Sequence, residues 1–398
     1  MATPGPRVAY HPYNAAGFAT DEGNVGVTES PGAAGARLRL ARLARGFSQQ
    51  QLAGMADVSR QAVSAVESGH SDPSLRVALA LAQALGMTVE ELFGPSDPAR
   101  PVSAVPVAPL GAGQARVALA SVGDRFVALP LRKDTAAGMG FIPAGGLAAQ
   151  TGAATAGQDA IDVRPIGPPR ATLVVAGCDP ALPLLATPLS LLDPPIAFAW
   201  WPCGSGEALR LAAAGLVHAA GVHLRDAAGA YNTAAARRLP GGAEVVGFTA
   251  WREGLVLRPE LAGTITGLDA IARYGMRLVN REPGAEARRV LDRERERLGL
   301  DPAELPGYET RAAGHLQVAS AVAAGLADAG VASEPAARAY GLGFMPLADE
   351  RFDLVLPGKH LGSREVLGLL KVLTSPWLLA QLASLPGYDS ADCGAPAG

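Results

Sequence analysis

The hydrophobic pattern changes character three times along the chain. Residues 1–34 mix Gly, Ala, Pro and polar residues with neither helical nor strand period, and are expected to form a flexible arm. From 35 to 94 the apolar positions recur at helical spacing in short segments with clear start signals, so a small helical domain is expected there. Residues 95–110 are rich in proline and read as a stiff linker. Over 111–168, two runs rich in Val and Leu joined by Gly123-Asp124 predict a hairpin, and a short strand is expected near Ile161–Val163. This segment is assigned to a small β connector or subdomain.

From Ala171 onward strands alternate with helices. TLVVAGCD (172–179) is a continuous apolar run, as a buried parallel strand would be. Further strands are expected within 195–206, at 219–224, 245–251, 276–281, 328–332 and 351–357. Helices are expected after Gly206, at 285–298 and at 315–327. Such alternation predicts an open α/β sheet, or two of them, over 169–388. The last ten residues, 389–398, are expected to fray.

Within the helical segment, FSQQQLAGMADVSRQAVSAVESG (47–69) has the layout of a helix-turn-helix. Ser48 caps a first helix, with Gln51 completing a capping box. Asp57-Val58 makes the turn, and Ser59 caps a second helix whose Ala62, Val63 and Val66 face inward. Arg60, Gln61 and Ser64 are left on the outer face of its first turns. There Arg suits a bidentate contact to guanine and Gln to adenine. Gln49, at the start of the first helix, suits a phosphate contact, and Ser59 joins it, Arg60, Gln61 and Ser64 among the DNA-binding candidates.

With its flanking helices at 36–45, 74–85 and 88–92, this stretch resembles the phage-repressor-type (XRE, Cro-like) DNA-binding domain. The resemblance implies a double-stranded DNA operator and a homodimer. Asp57 departs from the glycine frequent in that family, but Asp tolerates left-handed geometry better than most residues.

Composition and charge narrow the picture. Of the 398 residues 49% are hydrophobic and 18% charged, ample for buried cores and against wholesale disorder. The formal net charge of −3 argues against a generally basic nucleic-acid binder. Over 36–94, six arginines against five acids leave +1, so one copy would hold DNA modestly and a dimer would double its contacts. No apolar run approaches the roughly 20 residues of a membrane span. The first residues have neither the charged start nor the apolar core of a secretory signal, so a cytoplasmic protein without membrane contact is expected. Cys178, Cys203 and Cys393 lack metal spacing, and no metal or cofactor is expected. Cys178 and Cys203 both fall in loops after strands. Small buried thiols are the plain expectation; a redox pair or soft-metal site is the alternative if the two face each other.

In open α/β sheets ligands sit at the carboxyl ends of strands. Several loops there carry candidate ligand-binding groups: Asp179 after the first strand; Gly204, Ser205 and Gly206 before a helix, where free amides suit an anion; His223, Tyr231 and Asn232 in GVHLRDAAGAYN; Arg281, Gly284 and Arg288 in VNREPGAEARRVLD; and His315 at a helix start. For His223 and His315 a core or capping role is the competing expectation. No nucleophile–base setting, GxSxG or P-loop occurs, so no catalytic residue is assigned.

In this order, LVVAGCDPAL, AAGVHLRDAAGAYN, RLVNREPG and HLQVASAVAAGLADAGVA resemble the type II periplasmic-binding-protein-like domain that some bacterial regulators carry behind a helix-turn-helix. Relatives of that domain bind molybdate and tungstate. The resemblance implies two lobes closing on a ligand in the cleft between them. Ala285 and Glu286 replace the Ser and Gly frequent in the family's Arg-x-x-Gly-Ser-Gly pattern, removing a hydroxyl and adding a carboxylate. The expected architecture is therefore multidomain: an all-α helix-turn-helix bundle, a small β connector, and a two-lobed α/β domain. The expected function is a regulator responding to a small polar or anionic effector, with molybdate or tungstate as first candidate. The alternative is an enzyme built on the α/β domain, with the helix-turn-helix as an interaction module.

Overall fold

The structure, a computed structural model, describes residues 33–94, 101–110, 113–131, 142–148, 157, 159–167, 170–226 and 229–397. The expected arm, up to residue 32, and the start of the expected linker lie outside the described residues. The chain divides into two compact units, with the boundary between Asp97 and Pro98.

The first unit is five helices: α1 (Ala33–Ala44), α2 (Gln49–Met55), α3 (Arg60–Glu67), α4 (Leu75–Leu85) and α5 (Val89–Phe93). Four begin at a hydroxyl cap, with Ser48, Ser59, Ser74 and Thr88 each accepting a backbone N–H of the first turn. The capping box of Ser48 and Gln51 forms as expected. Between α2 and α3 the chain turns through Asp57 at φ +51°, the left-handed geometry anticipated for it. Leu38, Leu52, Val63, Val66, Leu81, Leu85 and Leu92 form the core.

The second unit opens with a closed five-stranded barrel: β1 (Val102–Pro106), β2 (Ala115–Val122), β3 (Arg125–Pro130), β4 (Gly146–Ala148) and β5 (Ile161–Pro165), in the order β1-β3-β2-β4-β5. The hairpin is the expected one, with Val122 paired to Arg125 across Gly123-Asp124. The linker expectation fails over 102–106. Val102–Pro106 is a barrel strand, parallel to β3 and antiparallel to β5, because its alternate residues Ala104 and Pro106 turn inward. Pro106 sits at the strand's end, where a missing donor costs least.

Two lobes follow. Strands β6 (Thr172–Gly177), β7 (Ala197–Pro202) and β8 (Ala219–Val222) run parallel in the first lobe, with α6 (Ala186–Ser190), α7 (Ser205–Ala213) and α8 (Thr233–Ala236). Strands β10 (Leu278–Arg281), β11 (Arg311–Ala312) and β12 (Ala329–Ser333) form the second. It also holds α9 (Leu268–Arg273), α10 (Glu286–Arg297), α11 (His315–Ala323) and α12 (Glu334–Ala339). Two 15-residue strands, β9 (Ala243–Leu257) and β13 (Gly343–Pro357), pair antiparallel along their length and join the lobes in one curled sheet, β11-β10-β12-β9-β13-β8-β6-β7. Each lobe has its own apolar core, and that of the first lobe continues into the barrel through Val107, Val122, Val127 and Leu129.

The chain ends with α13 (Arg364–Leu373), α14 (Pro376–Ala383) and β14 (Tyr388–Asp389). The expected fraying does not occur over the described residues. Strand β14 pairs with β9 and Pro396 bridges to Val246. Gly247 makes room, since a Cβ there would lie 2.3 Å from the Asp392 carbonyl oxygen. Among the described residues no single helix is long and apolar enough to cross a membrane. The bent pair α13–α14 passes by composition when joined, and buries its apolar face in the first lobe's core.

Candidate functional site

On α3, Arg60, Gln61 and Ser64 are exposed while Val63 and Val66 are buried. The Ser59 hydroxyl oxygen accepts the Ala62 N–H at 3.0 Å, so this side chain works as the cap. Gln49 is held from within: its amide donates to Glu67 at 2.8 Å. Glu67, read from sequence only as part of a helix stop, is buried and takes a two-pronged ion pair from Arg42, at 2.6 and 3.0 Å. That pair ties α1 to the end of α3.

In the two-lobed domain, the strand ends bring together groups far apart in sequence. Cys178 leaves β6, His223 leaves β8, and His315 opens α11 of the opposite lobe. All three are buried, and one ligand-type atom from each lies within 4.8 Å of the others. Each imidazole turns Nδ1 to a buried carboxylate on a crossing strand. His223 Nδ1 is 3.3 Å from Glu350 on β13, and His315 Nδ1 is 3.5 Å from Glu253 on β9. Trp251 and Phe352 flank His223, and Trp251 also packs on His315.

The electrostatics follow from this packing. Burial alone would raise the Cys178 thiol, yet His223 and His315 outweigh it and bring it down to about 6. Burial opposes charge on both histidines. The Cys178 sulfur and then Glu350 nevertheless hold His223 well above its ordinary range, and Glu253 and Cys178 raise His315 to about 9. Glu253 resists its own burial through the same histidines and sits below the usual carboxylate range; Glu350 sits above it, burial prevailing. Cys203 does not join the group. Burial and the neighbouring Cys178 push its thiol well up, and Cys178 and Cys203 do not form a disulfide.

Asp179 lies beside this cluster but is fully engaged. It accepts from Thr249 at 2.6 Å, from Tyr388 at 2.6 Å and from the Ala181 N–H at 2.8 Å. Gly204 caps α7, and buried Ser205 accepts the His223 N–H at 3.1 Å. Asn232, at φ +59°, accepts the Leu224 N–H and donates to Asp353, pinning its loop to β13. Tyr231 donates to the Asp349 carbonyl oxygen.

The two guanidiniums expected to meet an anion have partners already. Arg281, 2% exposed, makes two 3.0 Å bonds to Glu282. Arg288 donates to Glu309 and to the Arg281 carbonyl oxygen, and lies over the Tyr308 ring. Glu286, the carboxylate added to the family pattern, is buried and paired with Arg289 and Arg293. Of the expected residues, Gly206, Asn232 and Gly284 meet at one cavity of about 350 Å³. Sequence reasoning missed its arginines, Arg225 and Arg238 from the first lobe and Arg289 from the second. Arg289, one residue past Arg288 in a helix with many arginines, carried no signal that singled it out.

Comparison with known proteins agrees with both units. A helix-turn-helix model matches residues 38–92, and a model described as PBP superfamily domain matches residues 186–374. "Uncharacterized protein YvgK" of Bacillus subtilis is 33% identical over 173 residues, 42% of this chain and 55% of that protein, so the chain spans about half of that relative's length. The "uncharacterized protein in ferredoxin 2Fe-2S gene 5'region" of Clostridium pasteurianum is 33% identical over 106 residues, 26% of this chain and 94% of that protein. The "uncharacterized HTH-type transcriptional regulator MJ0272" of Methanocaldococcus jannaschii is 37% identical over 57 residues, 14% of this chain and 86% of that protein. With its five helices, four of them capped, and its two lobes joined by long crossing strands, the chain belongs to the XRE-type helix-turn-helix proteins that carry a periplasmic-binding-protein-like domain.

Proposed function

We propose that this protein is a ligand-responsive transcription regulator, in which a small anionic effector bound between the lobes changes affinity for a DNA operator. The observation that carries the reading is the cavity lined from both lobes, by Gly206, Asn232, Arg225 and Arg238 on one side and Gly284 and Arg289 on the other. Three arginines against Asp226 give its lining a positive balance. A ligand that touches both lobes favours their closed arrangement by its differential contacts, which is what control requires.

Arg281 and Arg288 do not line this cavity, so the anion contacts are assigned to Arg225, Arg238 and Arg289, although Arg289 also pairs with Glu286 at 3.2 Å. Molybdate and tungstate remain the first oxyanions to test. A volume of about 350 Å³ also suits a small organic carboxylate or phosphate ester. On the DNA side, Arg60, Gln61 and Ser64 read base edges, and the chain acts as a homodimer on two half-sites about one helical turn apart.

Calorimetry with both oxyanions and a panel of small organic anions tests the assignment. One anion is expected to bind wild type and to lose roughly tenfold or more in affinity in Arg289→Ala, as a lost charge-assisted hydrogen bond implies. Binding that is indifferent to Arg289→Ala and Arg238→Ala would move the site elsewhere.

An enzyme is the second reading, favoured by the lowered Cys178 thiol beside His223. Cys178 is 8% exposed, which leaves a substrate little approach. Burst release from an ester substrate at about one equivalent per chain, abolished by prior alkylation of Cys178, would support it.

A further inference from the structure

The buried cluster beneath the strand ends has a composition that neither regulation by an anion nor core packing requires. Cys178 and His223 come from the first lobe and His315 from the second, and their ligand-type atoms converge within 4.8 Å. His315 Nε2 is a buried side-chain nitrogen without a hydrogen-bond partner among the described residues. Ser333 faces Glu253 across β12 and β9, and its N–H lies 3.3 Å from His315 Nδ1. Natural interiors rarely leave such an atom orphaned, so His315 Nε2 calls for a partner beside Cys178 and His223.

We propose that Cys178, His223 and His315 bind one borderline-soft transition-metal ion, zinc(II) foremost, which ties the two lobes together. A thiolate with two imidazoles is a donor set zinc accepts readily, and it leaves a fourth position open. Bond lengths of about 2.0–2.3 Å put the ligand atoms of one tetrahedral ion roughly 3.3–3.8 Å apart, so the cluster needs to contract by about an ångström. The carboxylates behind it fit the same role. Glu350 faces His223 Nδ1, so that ring can keep its proton on the carboxylate side and turn Nε2 to the ion; His315 Nδ1 accepts the Ser333 N–H at 3.3 Å, and its ring ligates through Nε2 once Nδ1 gives up that bond and donates to Glu253 instead. A coordinating thiol is deprotonated by the cation itself, so Cys178 would supply a thiolate when the ion is bound. The ion's place across the lobes builds on the two-lobed sensing domain described above, whereas the donor set stands independently of any effector.

Cobalt(II) added to chelator-treated full-length protein is the direct probe, since thiolate bound to tetrahedral cobalt gives a near-ultraviolet charge-transfer band. One equivalent is expected to produce the band, and zinc to displace it. Cys178→Ser should abolish the band, and His315→Gln, on the opposite lobe, should weaken binding with secondary structure unchanged by circular dichroism. Glu253→Gln should keep the band and lower affinity roughly 10–100-fold, as loss of a carboxylate behind a ligating histidine does. Cys203→Ser should leave both band and affinity unchanged. To allow for slow entry into a buried site, metal content is also measured on protein from zinc-supplemented cells, with one zinc per chain expected in wild type and none in Cys178→Ser. Absence of metal in both measurements, or a band that survives Cys178→Ser, overturns the proposal and leaves a thiolate–imidazolium cluster instead. If no metal binds while an anion still shifts DNA affinity, the metal site falls and the sensing reading stands. If metal binds and DNA affinity responds to no anion, the reverse holds.

Discussion

Glu67 shows how a single buried charge can hold the second helix of the helix-turn-helix in place. Its carboxylate takes both prongs of Arg42 and the amide of Gln49, with Arg42 and Glu67 7% and 9% exposed. Glu67→Ala would leave the Arg42 guanidinium buried and unpaired, a loss of about 3–5 kcal/mol. Differential scanning calorimetry of the full chain should show the transition of the helical unit moved down, with most of the loss recovered in Arg42→Met/Glu67→Met. A loss within about 0.5 kcal/mol, the size of a surface change, would mean the pair is not buried in solution. His218 offers a second residue-scale test. Its Nδ1 accepts the Val174 N–H at 3.1 Å, and burial, helped by His360, lowers it to about 4. The folded form therefore stays neutral while the unfolded chain protonates below about 6.5. Its contribution is fully present above that pH and is lost as pH falls toward 4, up to about 3 kcal/mol. Urea midpoints should show wild type losing its advantage over His218→Gln across that window; parallel curves would contradict the assignment. Neither role was legible in the sequence. A glutamate before Ser-Gly reads as a helix end, and a lone histidine in an apolar stretch carries no sign of what its ring nitrogen meets.

At the scale of elements, α3 was the most legible part of the chain, because its caps, its turn and its apolar face all lie within 23 consecutive residues, 47–69. Its exposed Arg60 and Gln61 carry the sharpest DNA prediction. Arg60→Ala and Gln61→Ala should each weaken specific binding by about 1–3 kcal/mol in gel-shift titrations and change non-specific affinity less. Equal binding of the native promoter by both variants would remove α3 from the groove. The crossing strands were legible only in part. Residues 245–251 and 351–357 read as strands, but β9 and β13 each run to 15 residues. The unread portions, REGLVL and GFMPLADE, interrupt their alternation with charge, glycine and proline, and β13 accommodates the break as a bulge between Pro346 and Ala348. Those same stretches carry Glu253 and Glu350, the carboxylates behind the histidines. Strand β1 was missed for a similar reason, since prolines around it outweighed its alternation.

For the whole molecule, the order of parts could be read from the sequence: helices, β segment, then alternating strands and helices. The meeting of Cys178, His223 and His315 could not, because it depends on which strand ends the sheet order brings together, and no local pattern encodes that order. The same holds for the cavity, whose arginines come from the loop after β8, the residues just past α8 and the first turn of α10. The central claim joins that cavity to DNA binding, and one measurement tests it: fluorescence anisotropy of a genomic fragment selected by the protein, titrated with and without molybdate, tungstate and a panel of small organic anions. At least one anion should shift the wild-type dissociation constant about fivefold or more, a coupling of about 1 kcal/mol, and Arg289→Ala should abolish the shift while binding DNA as well as wild type does. No shift with any anion, or a shift that persists undiminished in Arg289→Ala, would contradict the account.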